Sequence, residues 1–359
     1  EGGRDDFFTE RSVVGVHLRY FDSWLDFWNG KLEMLSKEYG SFEKVKEIFG
    51  GLDRSCILKR FREDLERARK LKARYVVFHV SDVSARELFT YQCRHTDEEV
   101  IDAAAELINL LLDGENYTFD FLMENLWWPG LTMTRPEMTK RLLSQVHYQK
   151  KGIMLDTGHL MHMNLELKTQ DEAVDYILEK VAEHGNLASY IKGMHLNQSI
   201  TGAYVKTLIT KKDAMPSDYE ACSKACYEHV FQIDQHLPFT TPKVQKLVET
   251  IKPEYLTHEL MSYGRSEHEI KLVMQRAMYN NYSGFARDSF LKREKLSNTN
   301  QKKARQLCYN DHKLVDSNIK CKVTSAFADG ERQVTDYFWG EEKYVFRDQR
   351  LEKIIWHSR

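Results

Sequence analysis

Six short apolar stretches mark the first 260 residues of the chain, and longer amphipathic stretches separate them. The six are apolar throughout instead of alternating with polar residues, which is typical of parallel β-strands covered on both faces. They read VVGVHL (13–18), YVVFHV (75–80), FDFLMEN (119–125), GIMLDTG (152–158), IKGMHLN (191–197) and YLTHEL (255–260). This pattern predicts a largely parallel sheet.

The amphipathic stretches between these strands carry recognisable helix starts. Thr96 and Glu99 form a capping box ahead of one helix, and Thr169 and Glu172 form another. The Thr-Pro pair at 241–242 places a proline in a first helical turn. Strands that alternate with helices in this way predict an α/β protein with a parallel sheet, either open or closed into a barrel.

The chain changes character after residue 284. A basic polar stretch at 292–305 is followed by strand-like runs and by a DG turn at 329–330, which predicts a small antiparallel β appendage. Residues 285–359 carry 16 Lys/Arg and 11 Asp/Glu, a net charge of +5, which leaves −7 for the remainder. We therefore predict an α/β body at 1–284, followed by a basic linker and a β-rich appendage at 285–359.

The composition limits the partners and the compartment. The chain has 359 residues, a net charge of −2 and no run of 18 apolar residues, which disfavours a nucleic-acid binder and a membrane span. Six cysteines are scattered without a CxxC pair or a disulfide-like spacing, so we expect reduced thiols in a cytoplasmic protein. Cys222 and Cys226 are four residues apart and are expected to share one helix face.

Each predicted strand carries, at or near its end, a side chain that can bind a metal ion. The carboxyl ends of parallel strands meet at one mouth of a barrel. Burying so many ionisable groups together is costly unless a cation coordinates the carboxylates and neutral imidazoles. The side chains at these ends are His17, His79, Glu124, Asp156, His159, His195 and Glu259. Gly158 is expected to permit a tight turn between Asp156 and His159.

The stretches IMLDTGHL, LMENLWW, GMHLNQS and YLTHEL resemble motifs of the xylose-isomerase-like TIM-barrel superfamily. That superfamily contains sugar isomerases and epimerases and also endonuclease IV, of AP endonuclease family 2. The resemblance covers roughly residues 10–280 and implies a TIM (β/α) barrel. The first metal-binding histidine of the superfamily lies on the third strand, so we expect this chain to lack the first two β/α units.

The resemblance implies two alternative metal sets. Sugar isomerases and epimerases hold one divalent ion, which implies Glu124, Asp156, His195 and Glu259 as its ligands. In that case Glu124 and Glu259 also move the proton as base and acid, and His159 contacts the substrate. Endonuclease IV holds three zinc ions, and its pattern is filled here by His17, His79, Glu124, Asp156, His159, His195, Asp234, His236 and Glu259. The expected cofactor is zinc or manganese, in one to three ions.

The first prediction for function is a metal-dependent isomerase or epimerase of a sugar or sugar phosphate. The acidic body is a poor match for a polyanion, and aromatic residues after two strands suit a carbohydrate-like small molecule. Trp127, Trp128 and Asn197 are the expected substrate-binding residues. The alternatives are an endonuclease IV-like phosphoester hydrolase and a non-catalytic binding protein on the same fold. No membrane partner is expected, and the appendage could support a homo-oligomer.

Overall fold

The computed structural model describes residues 13–210, 219–278, 321–328, 332–338, 342–347 and 350–355. The strands are β1 (Gly15–His17), β2 (Tyr75–His79), β3 (Asp120–Glu124), β4 (Lys151–Asp156), β5 (Ile191–His195), β6 (Tyr255–Ser262), β7 (Cys321–Ala328), β8 (Arg332–Phe338), β9 (Glu342–Arg347) and β10 (Arg350–Ile355). The helices are α1 (Trp24–Trp28), α2 (Leu32–Tyr39), α3 (Phe42–Phe49), α4 (Ser55–Lys70), α5 (Ala85–Thr90), α6 (Asp97–Leu112), α7 (Pro136–Gln145), α8 (Thr157–Met161), α9 (Gln170–Glu183), α10 (Gly202–Thr210), α11 (Tyr219–Ile233), α12 (Gln245–Ile251) and α13 (Arg265–Ala277). Short 3₁₀ helices lie at Gly185–Tyr190 and Pro242–Val244.

The strands β1 to β6 lie in chain order as parallel neighbours in one curled sheet. β7 pairs antiparallel with β6, β8 pairs antiparallel with β7, and β9 and β10 form a separate antiparallel pair. The sheet curls so far that the Tyr75 hydroxyl on β2 lies 3.2 Å from Thr257 Oγ1 on β6. Six parallel strands surrounded by helices thus form a half-barrel, which confirms the prediction of a partial TIM barrel.

The strands β2 to β6 are largely buried on both faces, which explains why they read as continuous apolar runs. On β2, Tyr75 and Val77 belong to an inner cluster that also contains Leu122 of β3 and Met154 of β4. The alternate residues of β2, at 76 and 78, belong to a larger cluster that includes the apolar faces of α4, α6 and α9. Alternate residues of a strand therefore pack into two different cores, one inside the half-barrel and one beneath the helices.

The predicted element boundaries are correct to within a few residues. The two predicted capping boxes are present at the starts of α6 and α9. β4 ends at Asp156, two residues earlier than predicted, because the Asp156 carboxylate caps α8 and accepts a hydrogen bond from the His159 backbone N–H at 2.8 Å. Pro242 begins a 3₁₀ helix that leads into α12 and not the α-helix itself.

The helices α10 and α11 lie between β5 and the predicted ligands Asp234 and His236. They pack on α5 in a small apolar cluster that includes Trp127 and Trp128, separate from the main core. This insertion accounts for the long stretch of chain between His195 and Asp234.

The predicted appendage falls only in part on described residues. The antiparallel pairing of β7 with β8 agrees with the expected hairpin. The linker at 292–305 and the turn at 329–330 lie outside the described residues, so the division after residue 284 stays a prediction. Cys222 and Cys226 are both buried on α11. Within the described ranges, none of the helices has the length and hydropathy that a membrane crossing requires.

Candidate metal centre

The strand ends meet at one mouth of the half-barrel. Each of β1 to β5 ends on a predicted ligand, from His17 to His195, and Glu259 lies on β6 three residues before its end. The nine predicted ligands fall into groups whose donor atoms lie within 4.8 Å of one another. The groups are Glu124–Asp156–His195–Glu259, His17–His79–Glu124 and His159–Asp234–His236, with His17–His195–Glu259 as a further combination that links the first two.

The central group is formed by Glu124, Asp156, His195 and Glu259. His195 Nδ1 lies 2.8 Å from Glu124 Oε1 and 3.0 Å from Glu259 Oε2. The same nitrogen lies 3.8 Å from Asp156 Oδ2. All four residues are at most 1% exposed, so water does not screen their charges.

The second group adds His17 and His79 to the other oxygen of Glu124. Glu124 Oε2 lies 3.1 Å from His79 Nε2 and 3.8 Å from His17 Nδ1. Glu124 therefore presents one oxygen to the central group and the other to the two early histidines, which is the arrangement of a bridging carboxylate. The side chains of His17 and His79 are 10% and 16% exposed, so this group is more accessible than the central one.

The third group contains His159, Asp234 and His236. Asp234 Oδ2 lies 2.5 Å from His236 Nε2 and 3.4 Å from His159 Nε2. The remaining nitrogens contact the backbone, with His159 Nδ1 2.8 Å from the Asn125 carbonyl and His236 Nδ1 3.1 Å from the Glu259 carbonyl. These contacts fix each ring so that its Nε2 points toward the carboxylate.

The loop that carries Asp234 and His236 is anchored beside β5 in spite of the α10–α11 insertion. Gln198 and Leu237 exchange backbone hydrogen bonds of 2.8 and 2.9 Å. His236 has φ 46°, a left-handed conformation that is uncommon for a residue other than glycine. Such a conformation persists only where surrounding contacts impose it, and here it delivers the ring to the mouth.

The donor set fits divalent metal ions. Three carboxylates and one imidazole meet in the central group, and like charges buried so closely repel each other unless a cation lies among them. His195 Nε2 is buried without a hydrogen-bond partner among the described residues. Imidazoles and carboxylates without a thiolate suit zinc, with manganese as the alternative where carboxylates dominate.

The mouth perturbs the pKa values of its own side chains. Burial raises the pKa of Asp156 to about 6 and lowers that of His17 to about 3. Burial also lowers the pKa of His159, but the carboxylates of Asp156 and Asp234 outweigh it and raise the value to about 10. His159 therefore carries a proton at neutral pH when no ion is bound.

We expect the affinity of the third group for zinc to rise by about tenfold per pH unit between pH 6 and 8. An ion binds only the neutral imidazole of His159, whose pKa of about 10 means that a proton must leave at these pH values. Competition titrations against a chelating dye, corrected for the dye's own protonation, measure this slope. An affinity that does not change with pH contradicts the assignment of His159 as a ligand.

Two asparagines support the Asp156 carboxyl group and its backbone. Asn197 Nδ2 donates to Asp156 Oδ2 at 2.8 Å, and Asn125 forms two hydrogen bonds with the Asp156 backbone. A Cβ atom on Gly158 would lie 2.0 Å from Asn197 Oδ1. The predicted tight turn between Asp156 and His159 is the first turn of α8, and a side chain at Gly158 would displace the Asn197 amide. The substrate-binding role of Asn197 stays a prediction.

The aromatic residues near the mouth are mostly buried. Trp127 and Trp128 are 9% and 4% exposed and pack against each other. The Trp127 ring also lies against His159 and His162, at centroid distances of 5.2 and 4.6 Å. Tyr20, by contrast, is 40% exposed and packs edge-on against His79, 5.7 Å from its centroid.

Sequence analysis missed His162, which the structure places beside the third group. Its Nε2 lies 3.6 Å from Asp234 Oδ1. The available signal was its spacing, because His162 follows His159 by three residues and so faces the same side of a helical turn.

Comparisons with known proteins point to one family. The family described as "Xylose isomerase-like TIM barrel" matches residues 49–251. No curated protein sequence matches significantly. Endonuclease IV from Thermus thermophilus is 16% identical over 62% of this chain and 68% of its own, with a TM-score of 0.36. A D-tagatose 3-epimerase-like protein is 16% identical, over 51% and 71% of the two chains, with a TM-score of 0.28. The IOLI protein with a zinc atom is 15% identical, over 55% and 70%, with a TM-score of 0.28.

Proposed function

We propose that this chain, which belongs to the xylose isomerase-like TIM-barrel family, is a metal-dependent phosphoester hydrolase with a three-ion centre. The superfamily includes sugar isomerases and epimerases as well as endonuclease IV, so family membership alone leaves both chemistries open. The choice between them rests on the number of ligand groups at the mouth.

One observation carries the proposal: the nine ligands divide into three groups, of which two share Glu124. An enzyme that uses one ion needs only the central group. The remaining five side chains, His17, His79, His159, Asp234 and His236, would then be a costly set of mostly buried ionisable groups with no ion to bind. Three ions account for all of them.

In this proposal, each residue has a specific task. His17, His79 and Glu124 would hold one ion, Glu124, Asp156, His195 and Glu259 a second, and His159, Asp234 and His236 a third. Divalent ions held there would supply Lewis acidity toward the phosphoryl oxygens and toward the attacking water. The Glu259 carboxylate accepts the proton of the attacking water, and the P–O bond to the alkoxide breaks as the new P–O bond forms.

The sugar isomerase or epimerase remains the second candidate, because the central group is complete by itself. Glu124 and Glu259 flank His195 at 2.8 and 3.0 Å, as two carboxylates that pass a proton between neighbouring carbons could do. The aromatic argument for a sugar is weaker than the sequence alone indicates, because Trp127 and Trp128 are buried in packing contacts. Their predicted contact with substrate is retained as part of this second candidate.

Metal stoichiometry separates the two candidates. Protein purified without chelator is expected to hold three zinc ions per chain by elemental analysis, and to hydrolyse a small phosphodiester such as bis(4-nitrophenyl) phosphate. A reproducible value of one ion contradicts the hydrolase and favours the isomerase. The isomerase predicts instead that a substrate C–H exchanges with solvent deuterium, and a panel of sugars and sugar phosphates in D₂O tests that alternative directly.

A further inference from the structure

We propose that His162 is a fourth protein ligand of the ion in the third group, which makes that position a closed structural site. This inference depends on one part of the proposed function, the presence of an ion at His159, Asp234 and His236. His162 itself is not one of the nine ligands that the sequence motifs predict.

The position of His162 follows from the end of α8. His162 is the C-cap residue of this short helix, three residues after His159, so both rings leave the same side of the turn. Its side chain is only 2% exposed and lies against Trp127. A buried imidazole requires partners for both ring nitrogens, and the two nitrogens of His162 differ in this respect.

The Nδ1 atom of His162 has a partner that sets the tautomer. It lies 3.5 Å from Thr201 Oγ1. The Thr201 hydroxyl donates its own proton to the Ile233 carbonyl at 2.9 Å, so Oγ1 can only accept from His162. His162 Nδ1 therefore carries the ring proton in a neutral ring, which leaves Nε2 with a free lone pair.

The Nε2 atom faces Asp234 Oδ1 at 3.6 Å. Both atoms are buried, and neither has a hydrogen-bond partner among the residues that the structure describes. Two lone pairs directed at each other in a buried position repel, and a cation between them removes the repulsion. A metal-bound histidine usually donates its other ring N–H to an oxygen atom, and Thr201 Oγ1 is the oxygen nearest to His162 Nδ1 in this role.

Four protein ligands leave no open position on a tetrahedral ion, which is the distinction between structural and catalytic zinc sites. The third ion would then hold the 234–236 loop against α8, while the group of His17, His79 and Glu124, which has only three protein ligands, keeps a position for substrate. The exposure of the side chains agrees with these separate roles, because His17 and His79 are partly exposed whereas His162 and His236 are almost fully buried.

The test uses Co²⁺ titrated into the metal-free full-length protein, with His162→Ala as the variant. In the wild type, the equivalent that fills the third group is expected to add the strong visible absorption of four-coordinate Co²⁺. In His162→Ala, we expect the affinity for that Co²⁺ ion to fall by at least about 100-fold and its absorption to weaken. Such a loss exceeds the one expected when a residue that only hydrogen-bonds to a metal ligand is replaced. His184→Ala removes another buried imidazole, one that contacts Thr139 and the Lys180 carbonyl, and should leave the titration unchanged.

Thr201→Val is a second, milder variant that keeps His162 but removes the acceptor of its ring proton. A loss of about tenfold in affinity for the Co²⁺ that fills the third group is expected, as when other residues that hydrogen-bond to a metal ligand are replaced. Should both variants bind Co²⁺ at the third group with unchanged affinity and spectrum, the role of His162 is refuted while the three-ion proposal stands. If the wild type binds only one Co²⁺, the proposed function itself fails.

Discussion

Replacing Glu124 by glutamine is expected to reduce phosphodiester hydrolysis by at least about 1000-fold, equivalent to about 4 kcal/mol of transition-state stabilisation. Glu124 presents its two oxygens to two different groups at short distance, 2.8 Å to His195 Nδ1 on one side and 3.1 Å to His79 Nε2 on the other. An amide retains one carbonyl oxygen, cannot bridge two ions and adds no negative charge. Zinc content should therefore fall from three ions to one, the ion held at Asp234 and His236.

The matched control is Glu38→Gln, a largely buried carboxylate outside the mouth. Glu38 Oε1 accepts a hydrogen bond from the Ser23 hydroxyl at 2.7 Å, which a glutamine carbonyl can also accept. Zinc content and rate should remain those of the wild type. Elemental analysis and the phosphodiester assay on both variants give the result, and three retained ions in Glu124→Gln would rule out the bridging role.

Replacing Arg94 by methionine is expected to lower the free energy of unfolding by about 2–4 kcal/mol, somewhat less than for a fully buried pair because Arg94 is partly exposed. Arg94 lies 3.0 Å from Asp26, 3.1 Å from Glu87 and 3.5 Å from Glu38. The side chain of Asp26 is fully buried and that of Glu87 nearly so, whereas that of Arg94 is 34% exposed. Removing the cation leaves carboxylates buried close together.

The loss should depend on pH. Burial raises the pKa of Asp26, but the hydrogen bond from His95 and the charge of Arg94 outweigh it and lower the value. A lowered carboxyl pKa contributes stability above its unfolded value near 4, and that contribution disappears as pH falls. The difference between wild type and Arg94→Met is therefore expected to be larger at pH 7 than at pH 4.

Arg135→Met is the control for this experiment, because Arg135 also contacts three carboxylates but at the surface. It lies 3.1 Å from Asp97, 2.8 Å from Glu98 and 2.9 Å from Glu137, with its side chain 41% exposed. Exposed ion pairs contribute about 1 kcal/mol or less, so this loss should be small. Urea unfolding at both pH values compares the variants, and equal losses at the two positions would show that burial is not the reason.

Several parts of the fold were predictable because they depend on local pattern. The six strands, the two capping boxes and the α/β class follow from runs of apolar residues and from side chains that satisfy backbone groups within a few positions. The point where β4 ends was less predictable. Asp156 can continue the strand or cap a helix, and its contact with the His159 backbone selects the cap.

The residue pattern was sufficient to predict a parallel α/β sheet and to place potential metal ligands at the strand ends, because strand periodicity and the direction of the chain are properties of short segments. The partial barrel was implied by the resemblance of several short motifs to a known superfamily. Which donors share a position became clear only from the folded chain. The two oxygens of Glu124 face different groups, Trp127 turns inward, and His162 meets Asp234. These pairings depend on the curl of the sheet and on rotamers across strands far apart in the chain. No local pattern encodes distances of this kind, since they arise only when distant segments pack together.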